Sequence, residues 1–232
     1  MHSALVDALK QAAAEQAVQL VQDRMVVGLG SGSTAAFAVE AIGKRVREGL
    51  RMIGIPTSKQ TAERARQLKI PLSTLDEHHK VDLTIDGADE VETGTLTLIK
   101  GGGGHPLREK IVAAVSSRLV IIIDSSKLVQ QIGLRHAVPV EVIRFGWETT
   151  ARRLKELRIE PILRLQSNGT PFLTDDDNYI LDCNFGAVAD ARRLREEMDG
   201  IVGVVEHGLF VDMAELVIVG SVDGVTTLHR KR

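Results

Sequence analysis

Six short apolar runs constrain this chain more than any other feature: Met25–Leu29, Met52–Ile55, Val81–Ile85, Leu96–Ile99, Leu119–Ile123 and Leu216–Val219. A strand with one wet face alternates apolar and polar side chains. These runs hardly alternate, which is the pattern of strands buried on both faces of a parallel sheet. Between them, Leu5–Val21, Thr34–Val46, Lys59–Leu68 and Leu107–Val115 carry the apolar spacing of helices. Strands alternating with helices predict an α/β fold, a Rossmann-like and mainly parallel sheet with helices on both faces.

From Val138 to Phe210 the rhythm changes. Val140–Ile143, Pro161–Leu165, Tyr179–Cys183 and Val202–Val205 read as strands, and Thr149–Leu157 and Ala189–Met198 as helices. Turn residues gather at Asn168-Gly169 and over Asp175–Asn178. The order β-α-β-β-α-β is ferredoxin-like. The expected organisation is therefore a Rossmann-like domain made of residues 1–134 and 210–232. A smaller ferredoxin-like α+β domain, residues 135–209, is inserted before the last strand of the main sheet.

Composition narrows the function classes. With 29 basic against 31 acidic side chains and 3% aromatic residues, the chain offers nucleic acid neither a basic face nor stacking platforms. Cys183 is the one cysteine, which excludes an intramolecular disulfide, fits a reducing compartment and reads as a core residue on its strand. No apolar run reaches the roughly 18 residues that a membrane span needs, and the N-terminal segment lacks the apolar centre of a signal peptide. The expectation is a cytoplasmic protein without membrane contact. Leu228-His229-Arg230-Lys231-Arg232 reads as a short solvated basic tail.

The chemistry concentrates in two glycine-rich loops and an acidic turn. After the first strand comes Gly28-Leu29-Gly30-Ser31-Gly32-Ser33-Thr34. A dinucleotide fingerprint needs a third glycine at position 33, which is Ser33, and an acid ending the second strand, where Pro56-Thr57-Ser58-Lys59 stands instead. No G-K-[ST] follows, so it is not a P-loop either. Two readings stay open: a cradle for one phosphate monoester on a helix start, or a tight turn with Ser33 or Thr34 as helix cap.

Asp86-Gly87-Ala88-Asp89-Glu90 ends another apolar strand, where Asp86 and Asp89 can both turn toward the crevice in which open α/β sheets bind ligands. Asp86 alone could merely cap its turn. Lys100-Gly101-Gly102-Gly103-Gly104-His105-Pro106-Leu107-Arg108-Glu109-Lys110 follows. Four glycines in a row cost backbone entropy and make sense where the backbone approaches a ligand or takes a positive φ. Pro106 reads as the first residue of a helix, which puts Glu109 in its first turn. Crowding by Asp86 and Asp89 would raise the proton affinity of Glu109, and Lys100 would lower it. A carboxylate in that balance suits proton transfer beside a carbonyl. Lys110 reads as exposed, His105 and His207 as local hydrogen-bonding residues, and Lys127 in Asp124-Ser125-Ser126-Lys127 as a phosphate ligand or an exposed loop lysine. Metal-ligand spacing is absent, since His78 and His79 are adjacent and cannot share a helix face.

Taken together these segments resemble the A-type ribose-5-phosphate isomerase family. The resemblance rests on Gly28–Thr34, Thr57-Ser58, Asp86–Glu90, Lys100–Gly103, Leu107–Lys110, Asp124–Lys127, Pro139–Val142 and Gly203–Phe210, in order along nearly the whole chain. It implies interconversion of D-ribose 5-phosphate and D-ribulose 5-phosphate through a cis-enediolate, with no metal or nicotinamide cofactor. By the family's pattern Glu109 is the base, Asp86 assists ring opening, and Asp89 and Lys100 hold sugar oxygens. Gly30, Ser31, Gly32, Ser33, Thr34 and the glycines Gly101, Gly102 and Gly103 bind substrate, with Lys127 and Lys10 supplying charge to the phosphate. The resemblance also implies a homodimer or homotetramer. His105-Pro106 departs from the pattern, which has a small residue after the glycines. A sugar-phosphate deaminase, a coenzyme A transferase and a sugar-phosphate sensing domain are the competing readings; the last needs a helix-turn-helix segment and a basic face.

Overall fold

The computed structural model describes residues 2–230, so Lys231 and Arg232 of the expected basic tail lie outside the described residues. The first half of the chain runs α1 (His2–Val18), β1 (Val26–Leu29), α2 (Gly32–Arg47), β2 (Ile53–Pro56), α3 (Lys59–Gln67), β3 (Leu83–Asp86), β4 (Glu90–Glu92), β5 (Leu98–Ile99) and α4 (Pro106–Ala114). Next come β6 (Leu119–Asp124), a 3₁₀ turn over Ser125–Lys127, β7 (Leu128–Val129), β8 (Val138–Val142), α5 (Trp147–Lys155), β9 (Pro161–Leu163) and β10 (Tyr179–Cys183). The chain closes with α6 (Ala191–Asp199), β11 (Val204–His207), β12 (Leu209–Phe210), β13 (Leu216–Ser221) and β14 (Gly224–His229).

The main sheet has the order β14-β13-β6-β3-β1-β2. All its pairs are parallel except the β13–β14 hairpin. Its central strand explains the missing alternation. Val120 and Ile122 of β6 pack into one core with Ala13, Ala14 and Ala17 of α1 and Val39 and Ile42 of α2. Leu119, Ile121 and Ile123 face the opposite core, with Leu98, Ala113 and Phe210. Each such fully buried side chain stabilises the fold by roughly 1.5–3 kcal/mol, so a polar residue on either face would be expensive. Where α1 crosses β13, Gly220 leaves no room for a Cβ beside the Leu9 carbonyl.

Two expectations need correction. Leu96–Ile99 is not a main-sheet strand: only Leu98–Ile99 pairs, in a second sheet of order β12-β5-β4-β7, which shares the second face of the main sheet with α4. Two-sided burial made this segment apolar without saying which sheet it joins. The second correction is β14, which the sequence reading leaves as tail. As an edge strand with exposed and half-buried positions, Gly224–His229 lacks the apolar run that marks the others. Leu228 and His229 lie in this strand.

The third sheet, β11-β8-β10-β9, is antiparallel throughout, and α5 and α6 complete its β-α-β-β-α-β unit. Its core takes in Ile99, Val129 and Leu209 from the second sheet and Val211 just after it, which ties the small unit to the loops below. Cys183 is buried there, and burial pushes its thiol up to about 12. Among the described residues no helix is long and apolar enough to cross a membrane.

Parallel pairing sends the carboxyl ends of β1, β3 and β6 to one edge, where Gly30-Ser31, Asp86 and Asp124 stand. β2 lies on one side of β1 and β3 on the other. That reversal opens the crevice in which doubly wound sheets bind ligands.

Candidate active site

The register Leu29↔Ile85 sets Gly30 beside Asp86, so closely that a Cβ on Gly30 would run into the Asp86 carboxylate. Asp86 Oδ1 accepts the N–H groups of Ser31 (3.0 Å) and Gly87 (2.7 Å). Its Oδ2 lies 3.0 Å from Lys100 Nζ. Lys100 directly follows β5, donates its backbone N–H to the Gly208 carbonyl (2.8 Å) and its ammonium to the Gly87 carbonyl (2.6 Å). The ammonium also lies 3.2 Å from Glu109 Oε2, in the first turn of α4, and 5.4 Å from the centroid of the Phe210 ring. Asp86, Lys100 and Glu109 are 1%, 2% and 4% exposed, so water screens these charges little.

Burial dominates the proton affinity of Glu109. It favours the neutral acid; Lys100 opposes it, Asp86 and Asp89 reinforce it, and the carboxyl is pushed up to about 8. For Lys100 burial works against the charge, yet Asp86, Glu109 and Asp89 together outweigh it and raise its pKa. The result is a permanently charged ammonium next to a carboxyl that gains and loses its proton near neutrality. A general base has this character.

A cleft of about 120 Å³ opens over this pair. Gly32, Ser33, Thr34, Lys10 and Lys127 line it together with Asp89, Lys100, Glu109 and the glycines Gly101, Gly102 and Gly103. Lys10 Nζ donates to Ser33 Oγ at 3.1 Å. Ser31 occupies the N-cap position of α2 without a side-chain cap, so the helix start presents its N–H groups to the cleft as an anion site. Asp89 Oδ2 accepts the Gly102 N–H at 2.8 Å. Gly101 (φ +85°) and Gly104 (φ +94°) turn the loop in the left-handed region, which explains glycine at both.

Of the residues expected at the substrate, Asp86 and Gly30 do not line the cleft, and Ser31 lines it with its hydroxyl engaged elsewhere. Asp86 is saturated by two amides and Lys100. Gly30 makes room for that carboxylate. The Ser31 hydroxyl turns inward to Thr57 Oγ1 (2.7 Å), Ser58 Oγ (2.8 Å) and Thr61 Oγ1 (3.2 Å), leaving its backbone as the part at the cleft. Hydroxyls next to glycines read as ligands in sequence, while their partners lie some 26 to 30 residues away.

Lys110 is a further correction: it is half-buried, 2.6 Å from Glu206 Oε1, 3.2 Å from His207 Nδ1 and 4.9 Å from the Phe210 centroid. Burial, with Lys110 and Arg195 adding, holds His207 neutral, its pKa down to about 2. Asp199, Glu206 and His207 bring ligand atoms within 4.8 Å of one another, the one such group among the described residues. The Lys110 ammonium already supplies a cation there. His105 occupies the N-cap position of α4 without a side-chain cap, its Nδ1 3.5 Å from Asp175, and burial lowers its pKa. Sequence reading passed over Phe210 and Arg164. The second donates to the Gly101 and Gly102 carbonyls; an arginine ending an apolar strand was its one visible signal.

Comparison with known proteins agrees with this geometry. The family model described as ribose 5-phosphate isomerase A (phosphoriboisomerase A) matches residues 53–224. Ribose-5-phosphate isomerase A of Synechococcus sp. (strain JA-3-3Ab) is 55% identical, covering 98% of this chain and 99% of its own. The structure of ribose 5-phosphate isomerase A from Methanocaldococcus jannaschii superposes with a TM-score of 0.93 at 45% identity, over 96% of this chain and 99% of that one. A D-ribose-5-phosphate isomerase in complex with phospho-erythronic acid gives a TM-score of 0.94 at 36% identity, over 97% and 99%.

Proposed function

The chain belongs to the ribose 5-phosphate isomerase A family, and we propose that it interconverts D-ribose 5-phosphate and D-ribulose 5-phosphate with Glu109 moving the proton. The observation that carries this reading is the buried pair of Glu109 and Lys100 on the wall of a cleft whose other end is a helix start flanked by two lysines.

The phosphate rests on the first N–H groups of α2 with the Ser33 and Thr34 side chains, and Lys10 and Lys127 balance its charge. That anchors the open-chain sugar with C1 and C2 at the opposite end, beside Glu109. As carboxylate, Glu109 takes the proton from C2 of the aldose and returns it to C1, while in the enediolate the hydroxyl proton of O2 passes to O1; the carbons are adjacent, so one group serves both. As the proton leaves, negative charge grows on the carbonyl oxygen. The Lys100 ammonium and the glycine-loop amides are fixed before the reaction and stabilise that charge in a water-poor setting; losing one such donor typically slows reaction ~10²–10³-fold. Asp89 holds a sugar hydroxyl, and Asp86 keeps Lys100 in place. Phospho-erythronic acid, bound by a relative, carries a phosphate at one end and a carboxylate at the other, the charge pattern of an enediolate sugar phosphate.

Proton NMR of D-ribose 5-phosphate with the purified protein and EDTA in D₂O tests this. Ribulose 5-phosphate is the expected product. No ketose from folded protein at saturating substrate contradicts the reading.

A further inference from the structure

Four consecutive glycines have almost no conformational preference of their own, so whatever aims their amides must come from outside the loop. Asp89 does part of this by accepting the Gly102 N–H. The rest comes from the small antiparallel sheet. Arg164 directly follows β9 and continues its ladder, donating its backbone N–H to the Ile180 carbonyl at 2.8 Å. Its guanidinium is bound bidentately by Asp182 of β10, with Nε 2.9 Å from Oδ2 and Nη2 on Oδ1. The two N–H bonds of Nη1 reach the Gly101 carbonyl (3.3 Å) and the Gly102 carbonyl (3.0 Å). Phe172, 5.9 Å from the guanidinium carbon, closes over Gly104, where a Cβ has no room. The Gly101 carbonyl also accepts the Gly104 N–H at 2.9 Å.

In a trans peptide the C=O and the following N–H point opposite ways. With the Gly101 carbonyl drawn toward Arg164, the Gly102 N–H must face Asp89, as it does. With the Gly102 carbonyl drawn the same way, the Gly103 N–H faces the cleft that Gly103 lines. We propose that Arg164, held by Asp182, is a positioning residue that aims the Gly102 amide at Asp89 and the Gly103 amide at the reacting end of the cleft. It touches no substrate. Because Asp182 neutralises it, it acts through its donors and adds little charge to the site. The inference rests on the isomerase reading above.

Arg164→Ala, assayed as the full chain on D-ribose 5-phosphate, tests it. Loss of aim should lower kcat ~10²-fold, the typical consequence of a small misplacement, with KM and the Ki of inorganic phosphate close to native. The midpoint of the kcat/KM pH profile should stay in place, and added guanidinium ion should restore a large part of the lost kcat. Asp182→Asn keeps the arginine but frees it, and should lower kcat about tenfold with native phosphate affinity; it decides the matter where Arg164→Ala does not fold. Native kcat in either folded variant, or a phosphate Ki that weakens in step with kcat, overturns the proposal. Failure of the native enzyme to turn over in the same assay is a different result: it removes the isomerase reading, and this inference with it.

Discussion

Two lysines share the Phe210 ring, buried Lys100 at 5.4 Å and half-buried Lys110 at 4.9 Å from its centroid, and their surroundings differ in charge balance. Lys110 has Glu206 and a neutral histidine; burial prevails and lowers its pKa, with Glu206 opposing. Around Lys100 burial is outweighed by Asp86, Glu109 and Asp89, and its pKa rises. One cation therefore faces three carboxylates, and on Glu109 burial, reinforced by Asp86 and Asp89, prevails over Lys100 and raises the proton affinity. The contrast teaches that what burial does depends on the company it keeps: it lowers the proton affinity of Lys110 beside Glu206, and raises that of Glu109 where two further carboxylates reinforce it.

The largest effect that can break this comparison is at Glu109. Glu109→Gln should reduce kcat by about 10³-fold, within the range for losing a general base, while inorganic phosphate inhibits both proteins alike. Its stability has a sign that can be checked. Glu109 has a folded pKa of about 8 against an ordinary value of 4.5. Its contribution is therefore full below 4.5 and is lost as pH rises through 8. Urea titrations should show native stability declining across that window more than that of Glu109→Gln.

Lys100→Met comes next. It strands two buried carboxylates, so a loss of about 3–5 kcal/mol in urea unfolding is expected, with kcat down ~10²–10³-fold in whatever remains folded. Lys110→Met should be milder, about 1–2 kcal/mol, because the Glu206 side chain is 21% exposed and water reaches it. Its kcat should stay near native. Equal damage to kcat from both lysine variants would dissolve the distinction. The smallest effect sharpens it: kcat/KM should fall about tenfold per pH unit below about 8 as Glu109 protonates, and Lys110→Met should leave that midpoint unmoved.

Much of this was legible in the residues. Leu119–Ile123 announced a two-faced central strand because its side chains fill two cores at once. The small β-α-β-β-α-β unit was visible for the same reason, with helices Trp147–Lys155 and Ala191–Asp199 in their expected places. β14 was not, because an edge strand satisfies its backbone by pairing with one neighbour and needs no apolar run. At the site, spacing brought Asp89, Lys100 and Glu109 together correctly, since strand ends and a helix start fix their direction. The partners that hold Asp86 and the Ser31 hydroxyl were not legible, because a sequence shows which groups are polar and not which partners saturate them. Arg164 escaped notice because its partners, Gly101 and Gly102, lie some 62 to 63 residues away. Local periodicity carries no information at that range.

The most direct test of Glu109 as the proton carrier is solvent deuterium entering carbon-bound positions of D-ribose 5-phosphate in D₂O, followed by NMR for native protein and Glu109→Gln at saturating substrate. Native protein should incorporate deuterium as ketose forms, and Glu109→Gln should incorporate none above the uncatalysed rate while still binding inorganic phosphate. Exchange at the native rate in Glu109→Gln would contradict the assignment and move the base to another group.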